Sequence, residues 1–319
     1  MEKRMKTVVL DKCTVTTGDV DLSPLECCGE VTYYDLLTKP QIIKALEGAD
    51  AVIVNKAVID KEIMDATALK FIGLFATGYN NIDTEYAKQK GIVVCNVPGY
   101  STSSVTQITF SLMLDLASST SRYSSSVAAG DWQRAEQFSY LSYPVRELAG
   151  KTLGIYGLGA IGTSVARVAL AFGMKVIAYT RTPKQIDGVE LVEQKRLFAE
   201  SDFLSFHCPL NKDSTRVLNK DTIELMKPTA FVINTARGGV IDEQALADAL
   251  RSGRIAGAGL DVLTAEPMAK DCPLANIGNC IITPHIAWAA YESRTRLIDM
   301  VAENLRAFVA GAPINVVNK

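Results

Sequence analysis

Histidine and tryptophan are scarce: the 319 residues hold two of each. None of the seven cysteines pairs as C-x-x-C, and no Cys/His cluster has metal-ligand spacing, so metal-dependent chemistry finds no ligands here. An odd number of scattered cysteines suits buried thiols in a reducing cytoplasm rather than a disulfide framework. Cys27-Cys28 is the one adjacent pair; it reads first as ordinary loop thiols and second as a redox-sensitive site. A net charge of −2 excludes the basic surface that nucleic acids or anionic membranes attract, so neither is expected as a partner. No apolar run is long enough to span a bilayer. The N-terminus, Met1-Glu-Lys-Arg-Met-Lys6, leads into a strand without a signal-peptide core, and a cytoplasmic location is expected. Repeats and low-complexity tracts are absent. What remains is 48% hydrophobic and 21% charged, the balance of a soluble globular protein, with length for two domains.

The stretch Lys151-Thr-Leu-Gly-Ile-Tyr-Gly157-Leu-Gly159-Ala-Ile-Gly162 organises the chain. Thr152–Tyr156 reads as a buried parallel strand. G-x-G-x-x-G follows, and then Val165, Val168, Ala169 and Phe172 recur on one face of a helix. That context makes the motif a dinucleotide-binding signature. Gly157 permits the tight turn, Gly159 the approach of a pyrophosphate, and Gly162 close packing of helix on strand. The pyrophosphate would sit on the helix N-terminus, where free N–H groups and the helix dipole favour an anion.

On either side of this stretch, strands alternate with helices, so the fold class is α/β with parallel sheets. Before it, strands are expected at Lys6–Leu10, Val31–Tyr34, Ala51–Val54, Phe71–Phe75 and Ile92–Cys95. After it, they are expected at Lys175–Tyr179, Phe203–His207, Ala230–Asn234, Gly257–Val262 and Cys280–Thr283. Asn96-Val-Pro-Gly99 reads as a linker, and a helix is expected from Ser104 to about Ser119. Residues 120–150 read as irregular, a segment suited to a dimerisation arm. Leu297, Val301, Leu305 and Phe308 mark a last helix that most simply returns to the first domain. The expected division is a flavodoxin-like substrate domain, residues 1–100 and 290–319, and a dinucleotide-binding Rossmann domain, residues 101–289, with the substrate in a cleft between them.

An acidic residue about 20 positions past the glycines normally binds the ribose 2′-OH of NAD. Here Thr180 stands there, followed by Arg181, which is able to pair with a 2′-phosphate. NADP(H) is therefore expected over NAD(H), with NAD(H) also admitted. Three successive strands each end near one ionisable group: Arg237, Glu266 and His285. Arginine binds a carboxylate bidentately. Histidine transfers protons at neutral pH, and a glutamate on the imidazole favours the charged form that protonates an alkoxide. In the first domain, Lys56 and the loop Ala76-Thr77-Gly78-Tyr79 follow strand ends and are expected to meet an anionic substrate.

These motifs together resemble the D-isomer-specific 2-hydroxyacid dehydrogenase family over nearly the whole chain. The carrying residues are Gly157–Gly162, His207-Cys-Pro-Leu210, Asn234-Thr-Ala-Arg-Gly-Gly239, Leu260-Asp-Val262 with Glu266-Pro267, and Thr283-Pro-His-Ile-Ala-Trp288. In detail the chain is most similar to the glycerate dehydrogenase/hydroxypyruvate reductase-like branch. The resemblance implies Arg237, Glu266 and His285 as catalytic residues and Ala76–Tyr79 as the substrate-carboxylate loop. It implies cofactor contacts at Ala160, Ile161, His207, Cys208, Pro209, Thr235 and Ala236, with Asp261 on the nicotinamide amide. Two departures stand out. Thr180 replaces the usual acidic residue, and Val105-Thr106-Gln-Ile108 stands where many relatives have Val-Ala-Glu-His, so contacts to the nicotinamide face are expected to differ, with Thr106 as the candidate cofactor contact. The implied reaction is reversible hydride transfer between NAD(P)H and a small 2-oxoacid, hydroxypyruvate or glyoxylate, to give a D-2-hydroxyacid such as D-glycerate. A homodimer is implied. The alternatives are a dehydrogenase for a bulkier 2-oxoacid and a non-catalytic NAD(P)-sensing protein.

Overall fold

Short apolar runs bounded by glycine, asparagine or aspartate become the strands of two parallel sheets. The computed structural model describes residues 4–182 and 184–319, so residues 1–3 of the N-terminal segment read above lie outside the described residues. The chain divides into two compact units, one running to Ser101 and resuming at Ala289–Lys319, the other Thr102–Trp288.

In the first unit, β1 (Met5–Val9), β2 (Gly29–Tyr33), α1 (Lys39–Ala45), β3 (Ala51–Val54), α2 (Lys61–Asp65), β4 (Phe71–Leu74), α3 (Thr84–Gln89) and β5 (Val93–Cys95) follow in order. The strands lie β2-β1-β3-β4-β5. Every residue of β3 and β4 is buried, which is why these strands read as unbroken apolar runs rather than alternating ones. Asp60 and Asp83 cap α2 and α3 by accepting the N–H groups of Ile63 and Tyr86.

The second unit begins with α4 (Thr102–Ser118), α5 (Thr120–Ala128) and α6 (Asp131–Arg134). Then come β6 (Thr152–Tyr156), α7 (Ala160–Ala171), β7 (Lys175–Tyr179), β8 (Val189–Leu191), α8 (Gln194–Glu200), β9 (Phe203–Phe206), α9 (Lys220–Ile223), β10 (Phe231–Asn234), α10 (Glu243–Arg251), β11 (Gly257–Leu260) and β12 (Cys280–Ile282). The strand order is β12-β11-β10-β9-β6-β7-β8, the doubly wound arrangement of a dinucleotide-binding sheet. One face carries Leu204, Phe206, Val232, Leu246 and Leu250; the other carries Leu153, Ile155, Val165, Phe203 and Ile233. Each such side chain contributes roughly 1.5–3 kcal/mol of burial. The last helix, α11 (Tyr291–Val309), belongs to the first unit, where Phe308 meets Phe71 with ring centroids 4.9 Å apart.

The expectation of irregular chain over residues 120–150 needs correction, because α5 and α6 lie inside it. The serines of α5 are poor helix formers. Its start is held from a distance: the Asp115 carboxylate accepts the Ser121 N–H at 2.8 Å and the Ser121 hydroxyl at 2.6 Å. Ser119 makes the corner in a left-handed conformation, φ 53°.

Candidate active site

Ligands of open α/β sheets bind beyond the carboxyl ends of the strands, where the strand order reverses. In the second sheet that point lies between β6 and β9. Gly157 leaves β6 at φ 102°, and a Cβ there would lie 2.8 Å from the backbone of His207 and Cys208. At Gly162 a Cβ would lie 2.1 Å from the Gly157 carbonyl oxygen, so helix and turn touch backbone to backbone. Gly159 differs: its Cβ would meet no atom within 4 Å. Open space at this glycine, above the start of α7, is room for a ligand. The first helical bond runs from Thr163 N–H to Gly159, which leaves the Ala160, Ile161 and Gly162 N–H groups without an intrahelical acceptor. An open glycine over three free donors fits a dinucleotide pyrophosphate.

The residues expected to face the cofactor at the other strand ends have distinct settings. Beyond β7, Thr180 lies beside an open hollow of about 400 Å³ also lined by Leu191, Glu193 and Arg196. Arg181 is exposed and pairs with Asp213 of the loop after β9, Nη1 to Oδ2 at 3.0 Å. Cys208 is half-buried and Pro209 exposed on that same loop. The His207 ring turns inward, with Nε2 2.8 Å from the Ser205 hydroxyl. Its Nδ1 is buried with no partner among the described residues, and burial pushes the imidazole down to about 3. His207 is therefore neutral at physiological pH and unsuited to proton transfer. Thr235, at the tip of β10, lies 3.1 Å hydroxyl to hydroxyl from Thr109 of α4. Thr106, one turn earlier, bonds back to the Thr102 carbonyl. Thr109 was not singled out by sequence; its three-residue offset from Thr106 along α4 is the signal that would have found it.

Arg237, Glu266 and His285 sit on three neighbouring loops of this unit. Asn234, fully buried, ties the first loop: its side chain accepts the Ala236 N–H at 3.0 Å and donates to the Arg237 carbonyl at 2.9 Å. Arg237 is exposed, with Nη1 on the Ala236 carbonyl at 2.7 Å. Gly238 lets the next loop pass, since a Cβ there would lie 1.9 Å from the Leu263 carbonyl carbon. That loop carries Glu266, whose Oε1 accepts the Leu263 N–H at 3.0 Å. Oε2 lies 2.6 Å from His285 Nδ1.

Asp261 builds the third loop. Its carboxylate accepts the Thr283 hydroxyl at 2.6 Å and the N–H groups of Ile286 and Ala287 at 2.9 and 2.8 Å. Burial pushes its carboxyl up, opposed by those same donors. Between the clamped residues, His285 is held at φ 56°. A left-handed non-glycine residue costs on the order of 1–3 kcal/mol and persists where its surroundings over-determine it. Ser104 of α4 adds a further tie, donating to the Ala287 carbonyl at 2.5 Å. In the tautomer whose Nδ1–H donates to the Glu266 carboxylate, Nδ1 is occupied and Nε2 is the nitrogen left to exchange a proton with a ligand.

In the first unit, the reversal of strand order falls between β1 and β3. Asp11, buried just past β1 at φ 53°, accepts the N–H groups of Asn55, Lys56 and Ala57 at 2.9, 2.7 and 2.6 Å. That clamp sets the loop carrying Lys56. Past β4, the Thr77 hydroxyl donates to the Val97 carbonyl and Asn96 donates to the Thr77 carbonyl. The backbone N–H groups of Thr77, Gly78 and Tyr79 have no acceptor among the described residues, while the Ala76 carbonyl accepts from Val97. Among the described residues no group of three or more His, Cys, Asp or Glu is placed to hold a metal, and no helix is long and apolar enough to cross a membrane.

Comparison with known proteins places this geometry. The pattern of the D-isomer specific 2-hydroxyacid dehydrogenase NAD binding domain matches residues 110–287. The chain is 41% identical over 322 residues to the hydroxypyruvate reductase of Blautia hydrogenotrophica, covering 99% of this chain and 100% of that one. It is 40% identical over 289 residues to the glycerate dehydrogenase of Methylorubrum extorquens, covering 89% and 90%. Among solved structures, an acyclic imino acid reductase in complex with NADPH and D-Arg is similar with a TM-score of 0.87 at 32% identity, over 98% of this chain and 100% of that one.

Proposed function

Given that the chain belongs to the D-isomer specific 2-hydroxyacid dehydrogenase family, we propose that it reduces a small 2-oxoacid, hydroxypyruvate or glyoxylate, to the D-2-hydroxyacid. The observation that carries the reading is the 2.6 Å contact of Glu266 with His285, on a loop that crosses Arg237's own at Gly238. A nicotinamide cofactor held by the Gly157–Gly162 turn would supply the hydride when bound. Arg237 takes the substrate carboxylate and polarises the 2-oxo group, its guanidinium offering paired donors. His285 Nε2 gives its proton to the developing alkoxide, and Glu266 holds the ring in the tautomer that allows this. In the reverse direction the same nitrogen accepts the proton.

NADP(H) is the preferred cofactor in this reading. Thr180 puts no carboxylate where an acidic residue would meet the ribose, and Arg181 beside it is a cation that could exchange Asp213 for a 2′-phosphate. The NADPH bound to the imino acid reductase relative supports the preference. For the first unit, the three free N–H groups of Thr77, Gly78 and Tyr79 support a carboxylate-binding role, with Lys56 adding positive charge. A homodimer is proposed from the exposed apolar side chains of one segment: Trp132, Phe138, Leu141 and Val145.

Initial rates of NADPH and NADH oxidation with hydroxypyruvate, glyoxylate and pyruvate test the proposal. Turnover of hydroxypyruvate or glyoxylate is expected, fastest with NADPH. Intact cofactor binding with no turnover of either would overturn the substrate assignment and direct attention to bulkier 2-oxoacids. A tenfold preference for NADH in kcat/KM would overturn the cofactor assignment.

A further inference from the structure

Cys27 and Cys28 close the 3₁₀ turn Ser23–Cys28, which leads into β2. Their sulfurs lie 3.5 Å apart. Cys27 is exposed and Cys28 half-buried, so a small reagent reaches the pair from solvent. The turn is anchored on α11, where the Cys27 thiol lies 3.7 Å from the Ala302 carbonyl. Of the seven cysteines, this is the one pair among the described residues whose sulfurs are in hydrogen-bond contact.

The surroundings select the chemistry. Neighbouring Cα atoms stand about 3.8 Å apart across a trans peptide, short of the roughly 4.4–6.8 Å that disulfides span. A disulfide here would be strained and readily reduced. Zinc requires four ligands, and no third His, Cys, Asp or Glu completes a group with this pair among the described residues. A single thiophilic atom bridging both sulfurs avoids the short S–S bond and needs no third protein ligand. A trivalent arsenical with one organic substituent meets that description, its remaining valence being filled by carbon.

We propose that Cys27 and Cys28 form a vicinal dithiol site for trivalent arsenicals. With an arsenoxide, two As–S bonds form and the As–O bonding is lost. Both thiol protons leave with the oxygen as water, and arsenic stays trivalent, so no oxidant or reductant is consumed. Burial and the neighbouring sulfur push the Cys28 thiol up to about 11, so it enters as the protonated thiol that this condensation uses. The site lies at the amino end of β2, whereas Lys56 and Ala76–Tyr79 follow the carboxyl ends of β3 and β4. Occupancy is therefore compatible with continued catalysis.

Phenylarsine oxide, added to the reduced full-length protein, provides the test. One reagent per chain is expected by intact-mass spectrometry, at the mass of the reagent less one water. Two thiols should disappear from a dithionitrobenzoate count. Excess dithiol should reverse the adduct and excess monothiol should not. Cys27→Ser and Cys28→Ser should each abolish the stoichiometric adduct, while Cys13→Ser should keep it. Cys27→Ser alters an exposed side chain, so it keeps the test readable if Cys28→Ser fails to fold. Retention of the adduct in both variants, or loss of only one thiol, would overturn the assignment.

Discussion

Replacing Asp213 by asparagine should raise the preference for NADPH. Arg181 follows Thr180 directly past β7 and is the cation this reading assigns to a 2′-phosphate; it is engaged with Asp213 at 3.0 Å, while Arg196 beside the same hollow is held by Glu190 and Glu200. Both side chains are more than half exposed, at 60% and 52%, so the pair is screened and worth about 0.2–1 kcal/mol. A 2′-phosphate, with a charge of about −1.5 to −2, must break that pair and then faces the released carboxylate. Asp213→Asn removes the competitor and leaves a neutral side chain of nearly the same shape. The expected gain in kcat/KM for NADPH is about 1.4- to 5-fold, by conversion at 1.4 kcal/mol per decade. NADH should change much less, because it carries a neutral 2′-hydroxyl where NADPH carries the phosphate. The gain should shrink as salt is raised, since an exposed pair is screened over about 8–10 Å at moderate ionic strength. Cofactor titrations by nicotinamide fluorescence, with rates at saturating 2-oxoacid, measure both effects. Arg181→Ala alone should lower NADPH binding, and adding it to Asp213→Asn should cancel the gain. Equal changes for NADH and NADPH, or a gain that survives Arg181→Ala, would refute the reasoning.

Four further outcomes follow from the same geometry. His285→Ala should lower kcat by about 10²- to 10⁴-fold with cofactor affinity intact, and Glu266→Gln should lower kcat less; stopped-flow binding beside steady-state rates separates the two effects. Gly159→Ala should weaken cofactor binding while leaving Tm near wild type, whereas Gly162→Ala, which drives a Cβ onto the Gly157 carbonyl, should lower Tm by several degrees; equal losses of Tm would contradict the different space at the two glycines. The folded state holds His207 near 3 against an ordinary 6.5, so its contribution is complete above pH 6.5 and is lost as pH falls toward 3, at about 1.4 kcal/mol per pH unit; His207→Asn should flatten that part of a stability–pH curve, and an unchanged slope would show that the ring titrates normally. Phe138→Ser with Leu141→Ser should convert a dimer to monomers in light scattering, and a dimer that persists would place the interface elsewhere.

How much of the site is legible in sequence depends on how local each interaction is. Gly157, Gly159 and Gly162 lie within six residues, so the turn and helix they make are written in one stretch. The central strands β3, β4, β9, β10 and β11 are buried throughout and show as apolar runs. The segment after Ser119 misleads because the bond that starts α5 comes from Asp115, across a break in the helix, while the serines themselves favour no helix. Asp11 carries no motif at all. Its importance rests on an acceptor geometry toward Asn55, Lys56 and Ala57, more than forty residues away, that arises once β1 and β3 pair.

By itself, the sequence determined the α/β class, the dinucleotide turn and the residue types at the strand ends, because apolar periodicity, glycine spacing and side-chain chemistry are local properties. Only the tertiary structure decided what those residues do to one another. It set Glu266 on His285 Nδ1, turned His207 inward as a neutral ring, gave Asp261 the task of holding the His285 loop, and paired Arg181 with Asp213. The physical reason is the order of strands in the sheet: it brings loops distant in the chain to one edge, and hydrogen bonds and charge pairs then form at distances that no sequence spacing encodes.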